Sequence, residues 1–211
     1  DSPYMIANEQ TNTMERHRVY GNVFASIDFT DWLNLMVRCG MDLSSDLRTL
    51  SKPWGSHSYN HGRFQENIIS QHEINTDFLL KYDDKFGDFS ISAMFGGNIM
   101  TQGYSSYSQT AVSLEVPGQY TLANAESTLQ TYAARSSKQI NSLYGMLQFS
   151  WKDWIFVDIT GRNDWSSALD PRWNSYFYPS VSVSVLLSSI LNMGKKVDIL
   201  KIRASWANVG N

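Results

Sequence analysis

Cysteine is nearly absent: Cys39 is the only one in 211 residues. A single thiol excludes an intrachain disulfide framework and a cysteine-built zinc site. Charge is also sparse, at 18% of residues, where an average soluble domain carries about 25%. There is no basic excess either. Seventeen Lys and Arg face twenty Asp and Glu, a net charge of -3, which argues against the electrostatic footprint of a nucleic-acid binder. Long apolar runs are missing too. They reach no more than four residues, as at Trp154-Ile155-Phe156-Val157, whereas a membrane-spanning helix takes about 20 apolar residues. Helical spans are excluded, but barrels are not, because barrel strands alternate and never make such runs.

What is present is a large stock of apolar and neutral polar residues. Leu, Ile, Val and Phe make up 24% of the chain, enough to bury or shield a substantial apolar surface. The chain opens on Asp1-Ser2-Pro3-Tyr4 with no basic or apolar leader pattern, and it closes on Val209-Gly210-Asn211 after an alternating stretch. An internal piece of a longer protein is the expectation.

The hydrophobic period is two along most of the chain. From Arg18 to Phe29 one face carries Val19, Gly21, Val23, Ala25, Ile27 and Phe29, and the other Arg18, Tyr20, Asn22, Phe24, Ser26 and Asp28. After Thr30-Asp31-Trp32 the pattern resumes, with Leu33, Leu35, Val37, Cys39, Met41 and Leu43 opposed to Asn34, Met36, Arg38, Gly40, Asp42 and Ser44. Similar pairs of segments follow around Thr76–Phe95, Leu143–Gly161 and Phe177–Trp206. The reading is eight strands in four hairpins. The strands are longer than the usual 5–6 residues and suit the ~9–11 tilted residues that cross a bilayer.

Connections alternate in length. Short turns near 30–32, 83–88 and 151–153 alternate with long polar segments at 45–69, 97–139 and 163–175, and a longer fourth turn is expected at 188–198. Segregation of long loops to one end is the arrangement of an outer-membrane barrel. Aromatics near strand ends (Phe29, Trp32, Phe149, Trp151, Trp154, Tyr176, Phe177 and Tyr178) suit an interfacial girdle. The predicted fold is therefore all-β, an antiparallel up-and-down transmembrane β-barrel. Val23, Ala25, Leu35, Val37, Ile91, Val157 and Val183 would face lipid, and Asn22, Ser90, Ser92, Gln148 and Ser182 a wet lumen. The alternative is a soluble or surface β-sandwich that binds glycan or acts as an adhesin through loop aromatics such as Tyr104, Tyr107 and Tyr120.

Candidate chemistry is thin. His57 and His61 have a spacing that would share a helix face, yet they lie in a Gly/Ser/Asn-rich stretch without a third ligand, and are read as solvated loop residues. His17 and His72 stand singly at strand margins. Asp83, Asp84 and Asp88 flank a tight turn, where Asp bonds its own backbone, and calcium is the lesser reading. Gly194-Lys195-Lys196 lacks the remainder of a phosphate loop. Arg38, Lys81, Arg162 and Arg203 alternate onto the polar face with Asp28, Asp42, Asp77 and Asp158. Mutual neutralisation between neighbouring strands, worth about 0.2–1 kcal/mol per opposed pair, explains them better than a solute site. No catalytic, cofactor-binding or metal residue is assigned, and no enzyme is expected.

Three stretches carry a family resemblance. They are Gly161-Arg162-Asn163-Asp164-Trp165-Ser166-Ser167-Ala168-Leu169, Ser175-Tyr176-Phe177-Tyr178-Pro179-Ser180-Val181-Ser182, and Leu200-Lys201-Ile202-Arg203-Ala204-Ser205-Trp206-Ala207-Asn208-Val209-Gly210-Asn211. They resemble barrel signatures of the SusC/RagA-type TonB-linked outer-membrane proteins of Bacteroidetes. Phe29-Thr30-Asp31-Trp32-Leu33 and Val116–Asn124 are similar to other stretches of that family. The resemblance implies a large, 22-stranded barrel with an N-terminal plug, a SusD-like surface lipoprotein as a lid, and import of glycans or peptides driven by the TonB complex. On that basis residues 1–16 would be an extracellular loop remnant and 17–211 about eight strands of the barrel, with the plug and the TonB-contacting segment outside this chain. The location implied is the outer membrane of a Gram-negative bacterium, and no substrate-contacting residue carries over.

Overall fold

The computed structural model describes residues 2–191 and 198–209. It holds a short helix α1 (Pro3–Asn8) and eight strands: β1 (Asn12–Thr30), β2 (Leu33–Ser56), β3 (Tyr59–Phe86), β4 (Phe89–Ala111), β5 (Gln130–Trp151), β6 (Ile155–Ser166), β7 (Ser175–Leu186) and β8 (Lys201–Ala207). All eight form one sheet in the order β1-β2-β3-β4-β5-β6-β7-β8, so every strand pairs with its neighbour in the chain. The eight expected strands are all found. A single meander has no second sheet to stack against, and the sandwich alternative is set aside. Within the stretch 1–16, α1 is started by the Ser2 hydroxyl, which accepts from the Met5 amide at 3.2 Å, and β1 begins at Asn12.

Two expectations about loops are corrected. Segments 45–69 and 97–139 are mostly strand: β2 to β5 run for 24, 28, 23 and 22 residues. The connection between β2 and β3 is only His57-Ser58, with Ser58 at a φ of 72°. Between β4 and β5 a loop of residues 112–129 remains, and between β6 and β7 only 167–174. The alternation signal fails in the distal halves of these strands because both faces are polar there. Ser45, Asp46, Arg48, Thr49, Ser51 and Lys52 give no apolar period. Cross-strand polar pairs hold such segments instead, for example Thr13 with Thr49 at 2.6 Å. The fourth expected turn, 188–198, and Gly194-Lys195-Lys196 fall largely or wholly on residues 192–197, outside the described residues.

The short turns lie where alternation places them. Lys152 and Asp153 have φ of 50° and 59°, and the Trp154 amide donates to the Trp151 carbonyl at 3.1 Å. Two positive φ values match the type I′ turn, whose twist fits a hairpin. Gly87 turns β3 into β4 at a φ of 61°.

The chain divides into two compact units. The first comprises residues 1–21, 41–73 and 102–137; the second comprises 22–40, 74–101 and 138–211. In the first, Phe64, Ala111 and Leu114 form a small buried core, packed by Tyr120, Leu122, Ala125 and Leu129 from the 112–129 loop. Asn124 pins that loop, donating to the Val116 and Gln119 carbonyls at 2.8 Å each and accepting from the Val116 amide at 3.0 Å. In the second unit the register is regular: Leu147 faces Ile159, which faces Val181, which faces Trp206. One position along, Gln148 faces Asp158, then Ser182, then Ser205. One face is an apolar lattice and the other a polar one.

Candidate functional site

The polar face is the candidate site, and strand alternation builds it. In the first unit Arg16 grips Asp46 with both ends of its guanidinium, Nε at 2.6 Å and Nη2 at 2.7 Å. Arg48 adds a third bond to Asp46 at 2.7 Å. Arg18 holds Asp42 the same way, at 2.8 and 2.5 Å. In the second unit Arg38 donates to the buried Asp77 at 3.0 Å. Asp158 accepts from Gln148 at 2.6 Å and from Ser182 at 3.0 Å, while Thr160 and Ser180 share a bond of 2.6 Å. Arg162 donates to Asp164 at 2.7 Å and to Ser142 at 3.1 Å, with its guanidinium 5.9 Å from the Tyr144 ring centre.

Arg18 with Asp42 and Arg38 with Asp77 are cross-strand ion pairs, whereas Asp158 and Asp28 are held by neutral donors, Asp28 accepting from Asn34 at 2.6 Å. Bidentate guanidinium–carboxylate pairs fix geometry and leave no naked charge to trap an ion. A cavity of about 240 Å³ opens on the first unit's polar face beside Arg18, Asp42, Gln71 and Gln102. Another of about 430 Å³, in the second unit, is bordered by Asp83, Asp84, Ser90, Ser92 and Gln148. Both offer hydrogen bonds of ordinary strength to a hydrated solute. Among the described residues no group of three or more His, Cys, Asp or Glu is arranged to hold a metal ion.

The histidines need correction. His61 is no solvated loop residue: it lies in β3, its ring stacked on Trp54 at 4.5 Å and its Nδ1 2.9 Å from Glu126. The Ser113 hydroxyl also donates to Glu126. That bond, then the one from His61, holds the Glu126 carboxyl below its ordinary range. His57 is in the β2–β3 turn. His17 and His72 sit within β1 and β3, not at their margins, and His17 meets Glu15 at 3.0 Å. Asp83 and Asp84 lie within β3 and not in the turn, and Asp84 accepts from the Lys85 amide at 2.7 Å. Asp88 and Asp153 each reach across to a lysine, Lys152 at 3.6 Å and Lys85 at 3.7 Å.

The opposite face is apolar and exposed. Val37, Phe95, Leu143, Phe149, Ile159, Val181 and Val183 are all open to the surroundings. Aromatics gather where turns end the strands of the second unit: Trp32 on Tyr82 at 5.4 Å, Phe89 on Trp151 at 6.4 Å, and Trp151 on Trp154 at 4.9 Å. In water such a face would be an aggregation surface; against lipid it is a solvated one. No helix among the described residues is long and apolar enough to cross a membrane.

An exposed apolar face, an opposed ion-paired polar face, and interfacial aromatics define the wall of a transmembrane β-barrel. The chain is similar to TonB-dependent receptors in sequence and to RagAB transporters in fold. Two curated proteins of Formosa agariphila share its sequence along the chain. TonB-dependent receptor P26 is 24% identical over 98% of this chain, and TonB-dependent receptor P3 is 21% identical over all of it. The chain spans about a fifth of each, at 22% of their length. Among solved structures, the RagAB peptide transporter matches with a TM-score of 0.90 at 16% identity, covering 97% of this chain and 24% of that one. The RagAB peptide importer in its 'open-open' state matches at 0.86, with 16% identity, 97% of this chain and 23% of that one. No protein-family model matches the chain. These proteins are named receptors and transporters, consistent with a chain that performs no covalent chemistry.

Proposed function

We propose that the parent protein is an active importer of the outer membrane, drawing energy from the TonB complex through a segment outside this chain. Residues 17–211 supply part of its barrel wall. The carrying observation is the sheet's two-sidedness: charges paired on one face, apolar side chains bare on the other. A lining of paired charges, Ser, Gln and Asn lets a hydrated solute exchange one weak hydrogen bond for another. The cargo class that suits this lining is a polar oligomer, a glycan or a peptide, captured under a SusD-like lipoprotein lid. Likeness to a RagAB peptide transporter supports the pairing with a lipoprotein.

The test is uptake in cells whose only carbon or nitrogen source is a labelled oligosaccharide or peptide. Deleting the parent should abolish growth on one such source, and removing its TonB-contacting segment should abolish uptake while leaving surface binding intact. Unimpaired growth on every source of both classes would refute the importer reading.

A further inference from the structure

The face opposite the ion pairs carries a basic pocket that the transport reading does not use. Ser70, His72, Gly103, Ser105, Arg135 and Ser137 border a cavity of about 340 Å³. Its side of the sheet follows from its neighbours. Gln102 borders the polar-face cavity with Arg18 and Asp42, so the alternate position 103 belongs to the other face, and His72, which borders both cavities, sets its ring against Gly103. Gln65 bonds Ser108 at 2.9 Å on the polar side, which sends Tyr107 to the other. On β5, Arg135 donates to the Tyr107 hydroxyl, which puts its guanidinium on the same side as Tyr107. This is the face where Met41, Leu43 and Leu47 stand exposed.

The pocket is built around an uncompensated cation. Arg16, Arg18 and Arg48 each have an aspartate. Among the described residues Arg135 has no carboxylate partner. It donates instead to the Tyr107 hydroxyl, and its guanidinium lies 5.2 Å from that ring's centre. A neutral partner orients the guanidinium without cancelling its charge. Across the pocket the His72 ring lies against Gly103, where an added Cβ would stand 2.1 Å from the imidazole. Only glycine lets the ring sit there. Three serines supply further donors.

We propose that this pocket binds the phosphate of an outer-leaflet glycolipid headgroup, the phosphorylated sugar of lipopolysaccharide. A fixed guanidinium matches phosphate oxygens in a bidentate fork, and imidazole and hydroxyl groups complete the donor set. The same strand face of this unit carries Met41, Leu43 and Leu47 bare, so the anion expected beside it is one tethered to acyl chains. The proposal rests on the outer-membrane reading.

The experiment uses the full-length parent in detergent, with lipid A as the probe and native mass spectrometry to count bound lipid. Arg135→Gln should lower occupancy by about fivefold, the weight of one basic contact to an anionic headgroup, and Gly103→Val should lower it by displacing His72. Excess inorganic phosphate should compete poorly. Equal occupancy in wild type and Arg135→Gln, both showing the heat-modifiable mobility of a folded barrel, overturns the proposal. Full displacement by inorganic phosphate also overturns it, in favour of a free-anion site. A wild-type protein without heat-modifiable mobility would instead fail the barrel reading itself.

Discussion

The Asp158 carboxylate bridges three strands, taking a hydrogen bond from Gln148 on β5 at 2.6 Å and another from Ser182 on β7 at 3.0 Å. Its register partners are those same two residues. Asp158→Ala leaves the Gln148 amide and Ser182 hydroxyl without their shared acceptor. The expected loss is about 1–3 kcal/mol, read from urea unfolding of the parent in lipid vesicles. Unchanged stability would show that water replaces the carboxylate and that the bridge is no structural tie.

Charge placed on the two faces should separate them. Val157→Arg or Val183→Arg should cost about 2–4 kcal/mol at mid-depth, whereas Ser182→Arg should be tolerated. Spin labels at the same positions give a second reading. Positions 157 and 183 should respond to a lipid-soluble quencher, and 182 to a water-soluble one. Equal response of both faces to both quenchers contradicts the assignment.

Gly96 is held open by a ring. A Cβ there would stand 2.6 Å from the Tyr144 ring and 2.8 Å from the Phe78 carbonyl oxygen. The carbonyl cannot retreat, so Gly96→Val should destabilise by about 1–3 kcal/mol through overpacking. The double substitution with Tyr144→Ala should recover only the part owed to the ring. Full recovery would place the whole clash on Tyr144.

Acid should loosen the 112–129 loop. Glu126, held below its ordinary range by the Ser113 and His61 bonds, contributes stability above the unfolded carboxyl pKa of about 4.3, and the contribution is lost as pH falls through the lower folded value. Protease nicking of the loop should therefore rise on acidification below that range. In Glu126→Gln the acid-induced rise should flatten. A variant that retains the wild-type pH profile would assign the transition to another group.

Uptake should be indifferent to single neutral changes on the polar face. Ser90→Ala, Ser182→Ala and Gln148→Ala each remove one weak contact among many, and transport rates should move by less than about threefold, the weight of a single neutral hydrogen bond. A collapse of uptake at one of them, with the barrel still folded, would mark a discrete binding site.

Sequence alone was enough where one face is apolar. Leu147, Phe149 and Trp151 against Gln148 and Ser150 state both the strand and its sides, and the register agrees position by position. It failed where both faces are polar, because alternation carries information only when the two sides differ. Arg16, Asp46 and Arg48 stand in stretches without that contrast, although together they make an ion-pair cluster on the polar face. Arg and Asp side chains 30 positions apart give no local signal of meeting. His61 was misjudged for the same reason: its partner Glu126 comes from a distant loop.

A sheet in which every strand neighbour is also a chain neighbour has a consequence for how it is made. The pairings of β1 to β4 and of β5 to β7 close connections of eight residues or fewer, so the entropy lost per added strand there is small and nearly constant. Contacts far apart in sequence arise mainly because the strands are long, and each hairpin can zip outward from its own turn. The exception is the 112–129 connection, which brings a core of its own to Phe64 and Ala111. From β1 to β7 assembly can thus proceed strand after strand along the chain, with that loop as a step that must fold on itself before the next strand is laid down.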